Sequence, residues 1–157
     1  HFEKTIDAVK ELNVQSIFIN GNADAGSKKI SNLIKKSKIK QHNSLTFEKF
    51  INLLSLSTAL VGNSSSGIME APFLKIPSVN IGTRQTGRLH TSSVIDVSYN
   101  KRDIKNALKK ILYDKNFQKN LRKTKSLYGN GTASKKLIKI LENLDLAKVP
   151  IQKKQFE

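Results

Sequence analysis

The chain has no cysteine and no tryptophan, and only one methionine, three prolines and four arginines among its 157 residues. The absence of cysteine excludes disulfides and thiolate metal sites and fits a reducing, cytoplasmic setting. No run approaches the roughly twenty apolar residues that a helix needs to cross a bilayer, so no membrane role is expected. Histidine is scarce too, and His42 has no second histidine near it, so no metal site is expected. The length suits one domain with one core. The chain opens at His1, without an initiator Met and inside an amphipathic pattern, which reads as a truncated product.

Acidic residues are also few: 12 Asp and Glu against 28 Lys and Arg leave a formal charge of +16. Such an excess ordinarily points to nucleic acid or an anionic surface. Here the lysines are scattered over every expected helix. There is no RNA-binding aromatic motif, no helix-turn-helix spacing and no dense basic run, so the charge reads as solvated surface and nucleic acid is not the expected partner.

What is present is an alternation of two periods. Phe2, Ile6 and Val9 mark a helix, and Val14 to Ile19 a short strand. Ile30, Leu33 and Ile34 form the stripe of a helix capped by Ser27, and Ile39 to His42 is a second strand. Phe47, Phe50, Ile51 and Leu54 follow helical spacing behind a Thr46 cap. Strands are then expected at Ala59 to Val61, Pro77 to Ile81 and Ser93 to Val97. Helices follow around Ile104, Ala107, Leu108 and Ile111, around Phe117 and Leu121, and along an inner face of Ala133, Leu137, Leu141 and Leu144. About five short strands alternating with helices predict an α/β fold, a Rossmann-like doubly wound parallel sheet covered on both faces.

Ligands in such folds collect at the carboxyl ends of the strands. Two segments there stand out. After Val61 the chain breaks at Gly62 into Asn63-Ser64-Ser65-Ser66-Gly67 and resumes as a short helix carrying Glu70, a pattern of small residues, hydroxyls and helix amides that suits an anion. After Ile81 it runs into Gly82-Thr83-Arg84-Gln85-Thr86-Gly87-Arg88, which holds two of the four arginines of an otherwise lysine-using chain. Arginine supplies planar, paired donors to phosphate or carboxylate, whereas lysine offers a point charge. The alternative is a surface turn with incidental charges. At the end of the first strand, Asn22 and Asp24 could contact a ligand or merely fix the turn Gly21 to Gly26.

GNSSSGIMEAP followed by PSVNIGTRQTGR resembles the signature of the UDP-N-acetylglucosamine 2-epimerases, in their hydrolysing branch that serves sialic acid synthesis. Asn22-Ala23-Asp24-Ala25-Gly26 is similar to that family's N-x-D-A-G segment, and Tyr128-Gly129-Asn130-Gly131 with Ala133 to its Y-G-x-G-x-A segment. The three blocks lie in the family's order and imply the carboxyl-terminal half of a bacterial, cytoplasmic member with glycosyltransferase-B type architecture.

The resemblance further implies an enzyme that eliminates UDP from UDP-N-acetylglucosamine, or from a related 2-acetamido sugar, and then adds water to give N-acetylmannosamine, without a cofactor. It implies UDP contacts from Asn22, Asp24, Asn63, Ser64, Ser65, Ser66, Gly67, Glu70, Arg84, Gln85, Gly87 and Arg88. Glu70 would accept from the ribose hydroxyls; its plainer reading is a surface carboxylate near a helix start. No catalytic acid and base are assigned within the chain; His90 flanks the Arg loop. The domain is expected over residues 1–144, with 145–157 an extension that straps the other domain. The missing amino-terminal domain is an implied partner, the whole enzyme is expected to be a homo-oligomer, and the isolated fragment is expected to be inactive. A glycosyltransferase donor domain, or a non-catalytic basic module, would share some of these features.

Overall fold

The computed structural model describes residues 1–20, 27–149 and 152. Two compact units divide the chain, His1–Leu127 and Tyr128–Glu157. The break therefore falls before the last long helix and does not coincide with the expected boundary at 144.

The first unit alternates helices and strands as the two periods predict. Its elements are α1 (Phe2–Lys10), β1 (Ile17–Ile19), α2 (Ser27–Ser37), β2 (Lys40–His42), α3 (Phe47–Ser55), β3 (Leu60–Gly62), α4 (Glu70–Phe73), β4 (Ser78–Ile81), β5 (Val94–Val97), α5 (Lys101–Tyr113) and α6 (Lys115–Lys123). A 3₁₀ turn over Ser65–Gly67 precedes α4. Polar caps set the helix starts. Thr46 Oγ1 accepts from the Lys49 amide at 3.5 Å, Asn100 Oδ1 from Arg102 at 2.9 Å, and Asp114 Oδ1 from Phe117 at 3.0 Å.

All five strands among the described residues pair in parallel, but in two ladders where a single sheet was expected: β1 with β2, and β3-β4-β5 with β4 central. β1 is also shorter than the apolar run suggests. Ser16 Oγ donates to the Val14 carbonyl at 3.1 Å, a local bond that competes with extension of the strand. Three-residue strands offer few ladder bonds, and Ile17 is exposed.

The core lies over the three-stranded sheet. Val79 and Ile81 of β4 pack with Ala8 of α1 and with Ile104, Ala107, Leu108 and Ile111 of α5, all buried. The inner face expected for α5 is the observed one, and burying each of its large aliphatic side chains stabilises the fold by about 1.5–3 kcal/mol. Strand alternation turns Ser78 and Asn80 to the opposite face. There Ser78 Oγ donates to the Gly67 carbonyl at 2.6 Å, which seats the 3₁₀ turn on β4. Ile68, Ala71 and Pro72 are buried behind it. This sheet is thus covered on both faces. The apolar stripe of α3 is less complete than its spacing implies: Leu54 is buried, but Phe47, the helix's first residue, is exposed.

The second unit carries α7 (Ala133–Glu142) and a 3₁₀ turn over Leu146–Lys148, capped where Asp145 Oδ1 accepts from the Ala147 amide at 3.1 Å. Leu137, Leu141 and Leu144, expected on an inner face, are exposed. The expected strap rests mostly on residues outside the described ones.

Candidate nucleotide site

The site is built where β3 and β4, hydrogen-bonded neighbours, release their loops at the same sheet edge. β4 is buried at all four residues, so its carboxyl end is a fixed platform. The chain leaves it at Gly82, with φ +79, and a Cβ there would stand 2.2 Å from the Tyr99 ring. A side chain there would have to displace the phenol end of Tyr99. Gly87, also at positive φ, turns the loop back.

The two loops converge on one atom. Arg84 Nη1 donates to the Asn63 carbonyl at 3.0 Å and Gln85 Nε2 donates to the same carbonyl at 2.8 Å. Asn63, Ser64, Arg84 and Gln85 are thereby brought together, with Arg84 and Arg88 exposed to solvent and Gln85 only 4% exposed. Arg84 keeps most of its five donors for a ligand. A small cleft follows the same edge, lined by Gly62, Ser64, Gly67, Ser78 and Asn80 among others.

The turn itself departs from the expected seat. Ser64 Oγ accepts from the Ser66 amide at 3.3 Å and the Ser64 carbonyl from the Gly67 amide at 3.1 Å, so two amides expected to face a ligand are used within the turn. A three-residue 3₁₀ turn interrupts the expected helix, and Glu70 is the first residue of the four-residue α4. So short a helix has little macrodipole. Positive charge at this edge comes from the guanidinium groups.

Unpaired acceptors complete the picture. Among the described residues, the buried side-chain polar atoms without a partner are Glu70 Oε2, Asn80 Oδ1 and Gln85 Oε1. The amide orientations are forced, because Asn80 Nδ2 faces the Asp96 carboxylate and Gln85 Nε2 a carbonyl, and both accept only. An edge with exposed guanidinium donors suits a ligand with an anionic part.

Asn22 and Asp24 lie outside the described residues. The strand end before them carries a polar network the sequence reading missed: Gln41 Nε2 donates to Asn20 Oδ1 at 2.7 Å, and Asn20 Nδ2 to Asn43 Oδ1 at 3.1 Å. Also missed was a bridge from Asn80 through Asp96 to His90. Among the described residues no group of His, Asp or Glu has the arrangement to hold a metal ion, and no helix is long and apolar enough to cross a membrane.

The sequence profile of the UDP-N-acetylglucosamine 2-epimerases matches residues 1–142. The chain belongs to this family. It is 39% identical over 123 residues to the GDP/UDP-N,N'-diacetylbacillosamine 2-epimerase (hydrolyzing) of Campylobacter jejuni, covering 74% of this chain and 31% of that protein. It is 32% identical over 151 residues to the UDP-N,N'-diacetylbacillosamine 2-epimerase (hydrolyzing) of Legionella pneumophila, covering 92% and 38%. The UDP-N-acetylglucosamine 2-epimerase of Neisseria meningitidis is 38% identical over 102 residues, covering 62% and 27%.

Solved structures share the fold. The Staphylococcus aureus MnaA–UDP structure superposes with a TM-score of 0.72 at 18% identity, over 90% of this chain and 41% of that one. The Methanocaldococcus jannaschii UDP-GlcNAc 2-epimerase in complex with UDP-GlcNAc and UDP gives 0.69 at 22%, over 89% and 39%. The chain spans 31% and 38% of the Campylobacter and Legionella relatives, so the expected half of an epimerase is nearer a third.

Proposed function

We propose that this chain is the part of a hydrolysing UDP-sugar 2-epimerase that holds the UDP leaving group. The observation that carries the reading is the convergence of Arg84 and Gln85 on the Asn63 carbonyl, which sets the guanidinium beside the Ser64–Gly67 turn. In the reaction, a base removes the C2 proton of the sugar as the C1–O bond breaks and its electron pair leaves with UDP. Water then adds to C1 of the resulting glucal, with a proton delivered to the opposite face of C2.

The chemistry assigned to this chain lies in the first step. Charge gathers on the departing diphosphate, and fixed donors stabilise it without reorganising. Arg84 and Arg88 supply those donors, with the hydroxyls of Ser64, Ser65 and Ser66 beside them. Glu70 supplies a carboxylate for the ribose hydroxyls, Gln85 braces the Asn63 carbonyl beneath them, and Gly67 and Gly87 hold the two turns. On the family resemblance of their segment, Asn22 and Asp24 join this site in the proposal. Relatives named for UDP-N-acetylglucosamine and for the diacetamido sugar leave both as substrates of the parent enzyme.

No acid and base pair is assigned here, and catalysis needs both in one closed cleft. The parent enzyme's remaining domain, a cytoplasmic setting and a homo-oligomeric assembly are parts of the same proposal. Placement of the chain in the carboxyl-terminal part rests on the resemblance of its three motif blocks. A coding sequence that supplied the second Rossmann-like domain downstream of Glu157, and not upstream of His1, would reverse it.

The test is titration of the purified chain with UDP, CMP and AMP by calorimetry, with UDP release from UDP-N-acetylglucosamine followed in parallel. Selective UDP binding without turnover is the expected result. Equal response to the three nucleotides would remove the reading, and steady turnover would show that an acid and base pair lies within the chain.

A further inference from the structure

His90 and Asp96 have no part in the reading above, yet they meet. One carboxylate oxygen of Asp96 accepts from Asn80 Nδ2 at 2.7 Å, and the other lies 2.8 Å from His90 Nε2. Asn80 and Asp96 are register partners on β4 and β5. Asn80 stands two residues before the Arg loop departs at Gly82, and His90 stands where that loop returns. A single carboxylate therefore joins both ends of the loop. Its return is fixed further by the Thr91 and Ser93 hydroxyls, 2.6 Å apart, with Ser93 buried.

The geometry separates this pair from proton transfer. His90 Nε2 faces the Asp96 carboxylate and Nδ1 lies 3.3 Å from the Thr91 carbonyl, so both ring nitrogens are turned to the chain's own acceptors at the loop base. Nor is overall stability its main effect, because the side chains are 28% and 54% exposed and ion pairs so exposed contribute little. What remains is local order.

We propose that Asp96 is a positioning residue: with Asn80 and His90 it clasps the base of the 82–89 loop and so presets Arg84, Gln85 and Arg88 for a diphosphate. The inference rests on the nucleotide reading of that loop. Inside the loop, the Thr86 amide donates to the Thr83 carbonyl at 3.0 Å and the Arg88 amide to the Gln85 carbonyl at 3.1 Å. The tip is tied to Asn63. The clasp supplies the anchor at the other end, and a loop held at both ends loses less freedom when a ligand binds.

The experiment compares D96A, H90A and H90Q with the unmodified chain by amide hydrogen exchange without ligand, and by titration with UDP and with uridine. In D96A and H90A the amides of Thr86 and Arg88 should exchange about tenfold faster while those of Val79 and Ile81 keep their protection. Affinity for UDP should fall about tenfold and affinity for uridine should hold. The H90Q side chain can still donate to Asp96, so it should restore both loop protection and UDP affinity. Unchanged exchange at Thr86 and Arg88 in D96A and H90A overturns the clasp whatever UDP does, and parallel losses of UDP and uridine overturn its positioning role. Faster loop exchange in a chain that binds no UDP at all supports the clasp and removes the nucleotide assignment.

Discussion

The two parallel ladders of the first unit share one design and differ in what holds them. β1 and β2 contain no fully buried residue, whereas β4 is buried throughout and packs Val79 and Ile81 against α1 and α5. Each ladder delivers a polar loop at its carboxyl end. The loop after β4 leaves from a platform with no room to move, and two side chains bind it back to the turn after β3. A strand edge becomes a precise site through the burial of the strand beneath it; loop composition alone does not confer this.

The sharpest way to break the contrast is to cut the core under one ladder. Ile104→Ala removes a fully buried side chain at the β4 face and should cost about 2–5 kcal/mol in denaturant unfolding, whereas Ile17→Ala, at an exposed position of β1, should cost less than about 1 kcal/mol. Comparable losses would mean that the ladders share one core.

A smaller loss is expected at the root of the loop. Gly82→Ala meets both an unfavourable backbone and the Tyr99 ring, and should destabilise by roughly 1–3 kcal/mol. Because the strain sits where the Arg loop begins, UDP binding should fall with it in the same titration. An unaltered melting curve would show that Tyr99 yields freely.

At the tip, Arg84→Lys should weaken UDP binding by roughly 1–3 kcal/mol while leaving the fold intact, since an ammonium cannot reproduce paired guanidinium bonds. Lys109→Ala, an exposed charge on α5, should leave affinity unchanged. Equal effects in one buffer would reduce the loop to a generic positive patch.

The smallest effect concerns the link between α1 and α5. Lys101 and then Lys105 hydrogen-bond the Glu11 carboxylate, the latter at 2.6 Å, and hold its pKa at about 2 against an ordinary 4.5. A carboxyl lowered in the folded state contributes stability that is present above about 4.5 and lost as pH falls through about 2. Glu11→Gln should therefore narrow the difference in melting temperature between pH 5 and pH 2, by a small amount because the groups are exposed.

Much of this was legible in the residues because it is local. The inner face of α5 follows from 3.6-residue spacing and the cap at Thr46 from side-chain chemistry, whereas the cap at Asn100 went unread. The Arg loop stood out by composition, and the structure ties it to the turn after β3 through the Asn63 carbonyl. What was not legible depends on distant pairing. The clasp through Asp96 requires the β4–β5 register, which no spacing encodes. Gln85 reads as a polar loop residue, and its burial follows only from its bond to Asn63. The exposed Phe47 and Leu137 show the converse: a helical stripe specifies a face, and it does not specify that something packs against it.

Tyr99 gives the molecule a reporter of its own. The chain has no tryptophan, so its near-ultraviolet emission comes from three tyrosines. Tyr113 and Tyr128 are well exposed, whereas Tyr99 lies over Gly82 and stacks on the His1 ring at 4.2 Å between centroids. Events at the root of the Arg loop therefore act on one of three phenols, whose aromatic NMR signals follow the loop without a label.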